Sequence, residues 1–265
     1  MKTHPVYLKL TKANETHNGF KFKTGMNTDT NPFNPDPEYE CGPYGLYFTD
    51  TVNWANWLDD ESAYVREVTL PEGERKVTLD DKYRAHRIIL GSRHELSKVA
   101  AWKWMVNMGF DVTADNRRAF HWASERGHLD VMKFLVSKGA DVTAADNYAL
   151  RWASHYGHLD VVKFLVSKGA DVTAGDNCAV IWASRKGHLD VVKFLVSKGA
   201  DVTAYCNQSV RYASEYGHLD VVKYLVSKGA DITARDNQAV RWASGNGHLD
   251  VVNYLVSKGA VLPLD

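Results

Sequence analysis

From residue 116 onward, apolar and polar positions repeat with a fixed step of thirty residues. One copy reads YALRWASHYGHLDVVKFLVSKGADVTA (148–174), and Gly109, Gly139, Gly169, Gly199, Gly229 and Gly259 mark the step. Such a period is read first as a repeat architecture. Within each unit the pattern predicts two short helices. Ala149, Leu150, Trp152 and Ala153 form an apolar face at helical spacing, with Asn147 placed to cap the helix and Gly157 to end it. In HLDVVKFLVSK (158–168), Asp160, Lys163 and Ser167 form a polar stripe among Leu159, Val161, Val162, Phe164, Leu165 and Val166. Asp160 near the start and Lys168 near the end suit the helix dipole, and Gly169 suits a left-handed stop. A helix pair with this much apolar surface is stabilised by stacking on its neighbours, which gives a solenoid.

Five units follow one another: 116–145, 146–175, 176–205, 206–235 and 236–265. Upstream, KVAAWKWMVNMGFDVTA (98–114) matches the second half of a unit, with Trp102 and Trp104 at positions that later hold smaller or single-ring residues. Residues 86–115 are therefore read as a degenerate first, capping repeat. Residues 1–85 do not repeat and hold six of the seven prolines. Strands are expected at 5–10, 19–25, 45–49, 64–70 and 76–79, from their β-branched and aromatic content. A short helix is expected in DTVNWANWLDD (50–60), a loop at 31–43, and either a last strand or the opening of the array in DKYRAHRIIL (81–90). Together these predict a small α+β domain preceding the mostly α array.

The words GHLDVVKFLVSKGADVTA resemble the ankyrin repeat, and ALRWAS resembles that family's first helix. The resemblance recurs five times over about two-thirds of the chain. It implies an ankyrin-repeat α-solenoid whose role is to bind other proteins. Two departures stand out. The family period is 33, whereas here it is 30, and the Thr-Pro-Leu-His start of the family unit is absent, arginine usually replacing its histidine. The missing residues fall where the family carries a β-hairpin finger, so shortened hairpin fingers are expected. The 30-residue wording resembles the paralogous ankyrin proteins of giant DNA viruses, which implies a host or viral protein partner and a (host) cytoplasmic setting.

The letters that change between copies lie mainly at the end of the first helix and around the preceding cap. They include Glu125 and Arg126, His155 and Tyr156, Arg185 and Lys186, Glu215 and Tyr216, with Tyr148, Tyr205 and Arg235. By resemblance to ankyrin domains these positions, with the framework arginines Arg151, Arg211 and Arg241, face the concave groove and are the candidate partner-binding residues. Tyrosine and arginine are common anchors of protein interfaces. Drift at unconstrained surface sites is the other reading. Three columns are read as structural. His128, His158, His188, His218 and His248 belong to the turn signature, and zinc would need its ligands within about 2.1 Å of one ion, so no metal is expected. Trp122, Trp152, Trp182, Tyr212 and Trp242 form a packed aromatic ladder. Lys133, Lys163, Lys193 and Lys223 each follow an aspartate by three residues, which describes a solvated face.

Composition narrows the field further. Lys plus Arg and Asp plus Glu are equal at 32 each, so no net charge favours nucleic acid or membrane. Cys41, Cys178 and Cys206 form no disulfide framework, and no apolar run is long enough to span a bilayer. A monomer without cofactor is expected. In the N-terminal region, GLYFTDTVNWANWL with YVREVTL resembles part of the ADP-ribosyltransferase pattern. That resemblance implies NAD contacts from His17 and Tyr47, with Asn18 interrupting a His-Gly pair. The acid expected on a later strand is missing from YRAHRIIL (83–90), where His86 stands nearest, and Glu67 lies on a different strand. The array is therefore expected to be a non-catalytic binding scaffold, with an NAD-binding or transferase-like N-terminal module as the alternative.

Overall fold

The computed structural model describes residues 6–17, 20–36, 45–59, 61–113 and 116–262. Contacts divide the chain into two compact units, residues up to 122 with 133–140, and 123–132 with those from 141 onward.

The first unit is built on antiparallel strands. They are β1 (Tyr7–Lys12), β2 (Thr16–His17), β3 (Phe20–Lys21), β4 (Gly25–Thr28), β5 (Leu46–Asp50), β6 (Ser62–Thr69), β7 (Lys76–Thr78), β8 (Tyr83–Ala85), β9 (Arg87–Leu90) and β10 (His94–Glu95). Eight of them form one sheet in the order β4-β9-β6-β1-β5-β8-β7, with β10 also on β6, while β2 and β3 pair separately. Its core includes Tyr7, Phe48, Val68 and Ile88, with the Tyr7 ring 5.2 Å from Phe48 and 5.1 Å from Tyr83.

Two expectations are adjusted here. The stretch 50–60 forms only a single 3-10 turn, Trp54–Trp57. DKYRAHRIIL supplies β8 and β9, so a repeat drawn from residue 86 would begin inside the sheet and contains only one helix, α1 (Val99–Asn107). Residues 37–43 of the expected loop lie outside the described residues.

The two tryptophans that set α1 apart have different neighbours. Trp102 is fully buried, donates its indole N–H to the Leu96 carbonyl at 2.7 Å, and lies between the rings of Trp54 and Trp122 at 6.0 and 5.9 Å. Trp104 stacks on His94 at 4.1 Å. A second tie is ionic. The Arg66 guanidinium, 1% exposed, makes paired 2.9 Å hydrogen bonds to the Glu15 carboxylate and donates to the Thr24 hydroxyl and the Gly91 carbonyl. All of that geometry satisfies a charge that is expensive to bury alone.

The array consists of α2 (Asn116–Glu125), α3 (Leu129–Ser137), α4 (Ala144–His155), α5 (Leu159–Ser167), α6 (Ala174–Arg185), α7 (Leu189–Ser197), α8 (Ala204–Glu215), α9 (Leu219–Ser227), α10 (Ala234–Gly245) and α11 (Leu249–Ser257). In α5 the buried side chains are Val161, Val162 and Leu165, and the expected polar stripe Asp160, Lys163, Ser167 is exposed. Each buried apolar side chain contributes about 1.5–3 kcal/mol. Gly157 and Gly169 both take positive φ, as expected.

The capping expectation is corrected. Asn147 does not cap the first helix. It ends a left-handed triplet, Ala145, Asp146 and Asn147, that recurs at 175–177, 205–207 and 235–237 and takes the place of a hairpin finger. Non-glycine residues resist this conformation, Asn and Asp least of all, which accounts for the asparagine ending all four triplets and the aspartate in three of them, while Tyr205 and Cys206 adopt it without that preference. The asparagine side chain reaches the next repeat instead. The Oδ1 atoms of Asn147, Asn177, Asn207 and Asn237 accept from the backbone N–H of Asp171, Asp201, Asp231 and Val261 at 2.7–2.9 Å. Inside each turn, an aspartate such as Asp171 accepts from both the N–H and the hydroxyl of Thr173.

The histidine column ties the repeats in the opposite direction. The Nε2 atoms of His158, His188 and His218 lie 2.7, 3.0 and 3.0 Å from the carbonyls of Glu125, His155 and Arg185 in the preceding repeat. The expected turn bonding is thus a bond between repeats. Each ring occupies the space where a side chain on the preceding turn glycine would be: a Cβ on Gly157 would lie 2.5 Å from Nδ1 of His188.

Three outcomes follow from these ties. Asn207→Ala should destabilise the array by roughly 2–3 kcal/mol, from the lost hydrogen bond and the left-handed backbone; Asn207→Gly, which tolerates that backbone, should lose less, and urea melts of both variants measure the split. Glu15→Gln should remove about 3 kcal/mol by leaving a buried guanidinium without its carboxylate, read as a lower urea midpoint for the unit followed by a probe on the sheet. His188 and His218 have folded pKa values below 6.5, mainly through burial, which the carbonyl bond only partly opposes. The unfolded chain therefore binds protons first, and their contribution is complete above about pH 6.5 and is lost as the pH falls toward the folded pKa. The thermal midpoint should drop on acidification from pH 7 to 5.5, and His188→Gln with His218→Gln should flatten that drop.

Candidate functional site

The variable letters lie on the first helices of the repeats, and helical spacing sets the aromatic framework column beside them. Trp152 is three and four residues before His155 and Tyr156, so all three occupy one face. The Trp152 ring is 5.4 Å from His155 and 5.7 Å from Tyr156, and the same His155 lies 5.3 Å edge-on from Trp182 in the next repeat. Tyr148 packs on Trp152 at 5.8 Å and carries the Arg151 guanidinium over its own ring at 5.6 Å. These five residues, Tyr148, Arg151, Trp152, His155 and Trp182, enclose a pocket of about 220 Å³ between α4 and α6. His155 is held below its ordinary pKa, chiefly by burial and then by Lys186 and Arg185, so it is neutral at pH 7.

The ridge continues through a cation. Arg185 lies 5.1 Å over Trp182, 5.4 Å from Tyr212 and 5.0 Å from Tyr216, and donates to the Tyr216 hydroxyl at 2.6 Å. Beyond it, Tyr212 stacks on Trp242 at 6.1 Å with 12° between the planes. Half-buried aromatic rings interleaved with Arg185 thus run along α4, α6, α8 and α10. Tyr156 and Tyr216 stand out from it at 39% and 41% exposure. Lys186, Arg235 and Arg241 are exposed, Glu215 is half-buried, and Glu125 and Arg126 form a loose 3.8 Å pair.

One expected site residue is committed elsewhere. Arg211 is 5% exposed, donates to the carbonyls of Cys206 and Tyr205 at 3.0 and 2.9 Å, and bonds Gln238. It therefore braces the left-handed turn of its own repeat. Tyr205 is 56% exposed, and the Asp176 carboxylate holds its hydroxyl above the ordinary tyrosine pKa. Trp122 belongs to the first unit, where its indole donates to the Ser62 carbonyl at 3.3 Å. Reading the tryptophan column as packing alone missed that Trp152 and Trp182 also line a pocket, a placement signalled by their spacing from the variable pair. Burial pushes the Cys178 thiol up, the opposite of an activated nucleophile, and Cys41 lies outside the described residues.

In the first unit, His17 and Tyr47 both line a single cleft between β1, β2 and β5. Asn18 and Gly19 lie outside the described residues. Strands β8 and β9 carry Arg84 and Arg87 with His86 between them, and no carboxylate.

Comparison with known families gives the array a lineage. Ankyrin-repeat profiles match residues 145–206, 175–236 and 208–264 in one form and 120–166 in another, together more than half of the chain. Several proteins of Acanthamoeba polyphaga mimivirus are similar, three of them as follows. One, named as an ankyrin repeat protein, is 33% identical over 132 residues, covering 48% of this chain and 64% of its own length. An uncharacterized protein is 31% identical over 131 residues, 48% of this chain and 94% of its own. Another named as an ankyrin repeat protein is 40% identical over 129 residues, 47% of this chain but 38% of its own. Among the described residues no helix is long and apolar enough to cross a membrane. By its repeats, its helix pairs and these matches, the chain belongs to the ankyrin-repeat family.

Proposed function

We propose that the array is a protein-binding scaffold that uses the first-helix face of its repeats. The observation that carries this reading is the pocket between α4 and α6, whose lining combines two variable residues, Tyr148 and His155, with the framework Trp152 and Trp182. A pocket of this size suits one apolar or aromatic side chain of a partner, the usual form of an interface hot spot. The neutral His155 and the polar rim of Arg151 and Lys186 would orient it, and Tyr156, Arg185 and Tyr216 extend the contact along the ridge. Because neighbouring rings and repeat-to-repeat hydrogen bonds already fix these side chains, little entropy is lost on binding.

The partner is a protein, host or viral by analogy with the relatives, met by a monomer in the host cytoplasm. The role is non-catalytic. A transferase reading of the first unit is not adopted, because β8 and β9 bring no acid to the strands where that chemistry would need one.

The test is capture of a partner from host-cell lysate by the intact chain and by a variant with Arg126, Tyr148, His155, Tyr156, Arg185 and Tyr216 all changed to alanine, which alters both the pocket and the ridge. The expected outcome is a partner held by the intact chain and reduced at least tenfold by the variant, with unchanged far-ultraviolet circular dichroism. Equal capture by both would exclude this face.

A further inference from the structure

The cleft in the first unit that contains His17 and Tyr47 has a volume of about 290 Å³ and an unusual charge pattern. Four of its lining residues are basic: Lys9, Lys12, His17 and Lys82. Its single carboxylate among the described lining residues, Asp59, already accepts from the Ser62 hydroxyl at 2.7 Å and the Glu61 N–H at 3.0 Å. Lys12 pairs with Glu61. The Lys82 ammonium lies 4.6 Å over Trp57 and 5.1 Å over Tyr47, two rings that form an aromatic side of the cleft.

Lys9 is the exception to an otherwise compensated set. It is on β1, 6% exposed, and directly opposite Arg66 in the β1–β6 register. Arg66 has its carboxylate in Glu15, whereas no carboxylate among the described residues pairs with Lys9. Its ammonium donates to the Tyr47 carbonyl at 2.7 Å and lies 4.3 Å over the Phe22 ring. Neither contact supplies a negative charge, and one hydrogen bond leaves two donors of the ammonium unaccounted for. Burial pushes Lys9 down to about 7. His17 on the same lining is also held low, first by burial and then by Lys9 and Lys12, with Asp59 opposing. The buried hydroxyl of Thr11, also on the cleft lining, has no hydrogen-bond partner. Buried polar groups without partners are rare enough in folded proteins to require an explanation.

We propose that this cleft binds a small aromatic phosphate, its phosphoryl oxygens taking the remaining donors of Lys9 and its ring lying against the Tyr47–Trp57 side. A phosphate supplies the countercharge that Lys9 lacks, and several acceptor atoms where the protein offers one. The cleft's size and its mix of apolar lining with a few convergent polar groups are those of a small-molecule site. The inference is independent of the recognition proposed for the array.

Pyridoxal 5′-phosphate is a suitable probe, because it carries an aromatic ring, a phosphate and an aldehyde. A neutral lysine amine condenses with the aldehyde, releasing water, and added borohydride delivers hydride to the imine to give a stable secondary amine. The full chain is treated with equimolar probe at pH 7.5, reduced, and mapped by peptide mass spectrometry. The expected result is label concentrated on Lys9, at least tenfold less with pyridoxal, which lacks the phosphate, and protection by excess phenyl phosphate. Label spread over the exposed lysines, equal labelling by pyridoxal, or no protection by phenyl phosphate would each overturn the proposal. Because the unmodified chain decides the matter, no variant needs to fold. Lys9→Met, where it folds, should abolish the specific label.

Discussion

The array depends on one hydrogen bond repeated four times: the side-chain oxygens of Asn147, Asn177, Asn207 and Asn237 each accept from a backbone N–H 24 residues further on, in the next repeat. With the finger shortened away, the chain must turn from one repeat into the next within three left-handed residues. Each such residue is unfavourable by about 1–2 kcal/mol for an ordinary side chain. The asparagine both tolerates that backbone and converts it into a tie to the next repeat. Histidine ties back to the repeat before, through a ring that fits only against glycine. Each repeat is therefore held from both sides, and stability is a nearest-neighbour property of the kind expected for solenoids.

Because these ties occupy the turns and the inner helix faces, they leave the ends of the first helices free to vary. The same spacing that places Trp152 and Trp182 in register sets His155 between them, and Arg185 then joins three rings of neighbouring repeats. A ridge of this kind is rigid before any partner arrives. Arg211 shows the limit of reading exposure from letters. It occupies the same column as Arg151 and Arg241, yet Gln238 and two turn carbonyls draw it inward.

The first unit handles buried charge in two ways on adjacent strands. Arg66 on β6 is matched by Glu15, and the pair secures the turn after β1 to the sheet. Lys9, opposite it on β1, has only a carbonyl and a ring. One arrangement stabilises a fold at the expense of two desolvated ions, and the other leaves an amine whose charge awaits a counterpart.

The sequence by itself determined the period, the helix pairs and the glycine stops, because each is a local matter of apolar spacing and backbone preference repeated five times, and its repeated wording carried the family resemblance. It also placed β1, β5, β6 and β7, whose β-branched and aromatic runs are local signals too, whereas the single strand expected at 19–25 is divided between the short β3 and the start of β4, and β2 and β10 were not expected. Tertiary structure alone decided where side chains find partners. Asn147 looked like a helix cap because its neighbours in sequence begin a helix, but its acceptor is used by Asp171, 24 positions away. The histidines looked like members of their own turns but bond the preceding repeat. β9 looked equally able to open the array or end the sheet, and pairing with β4 and β6 settled it. The pocket at Trp152 and the isolated charge of Lys9 arise from side chains brought together across elements, and no one-dimensional spacing encodes such convergence.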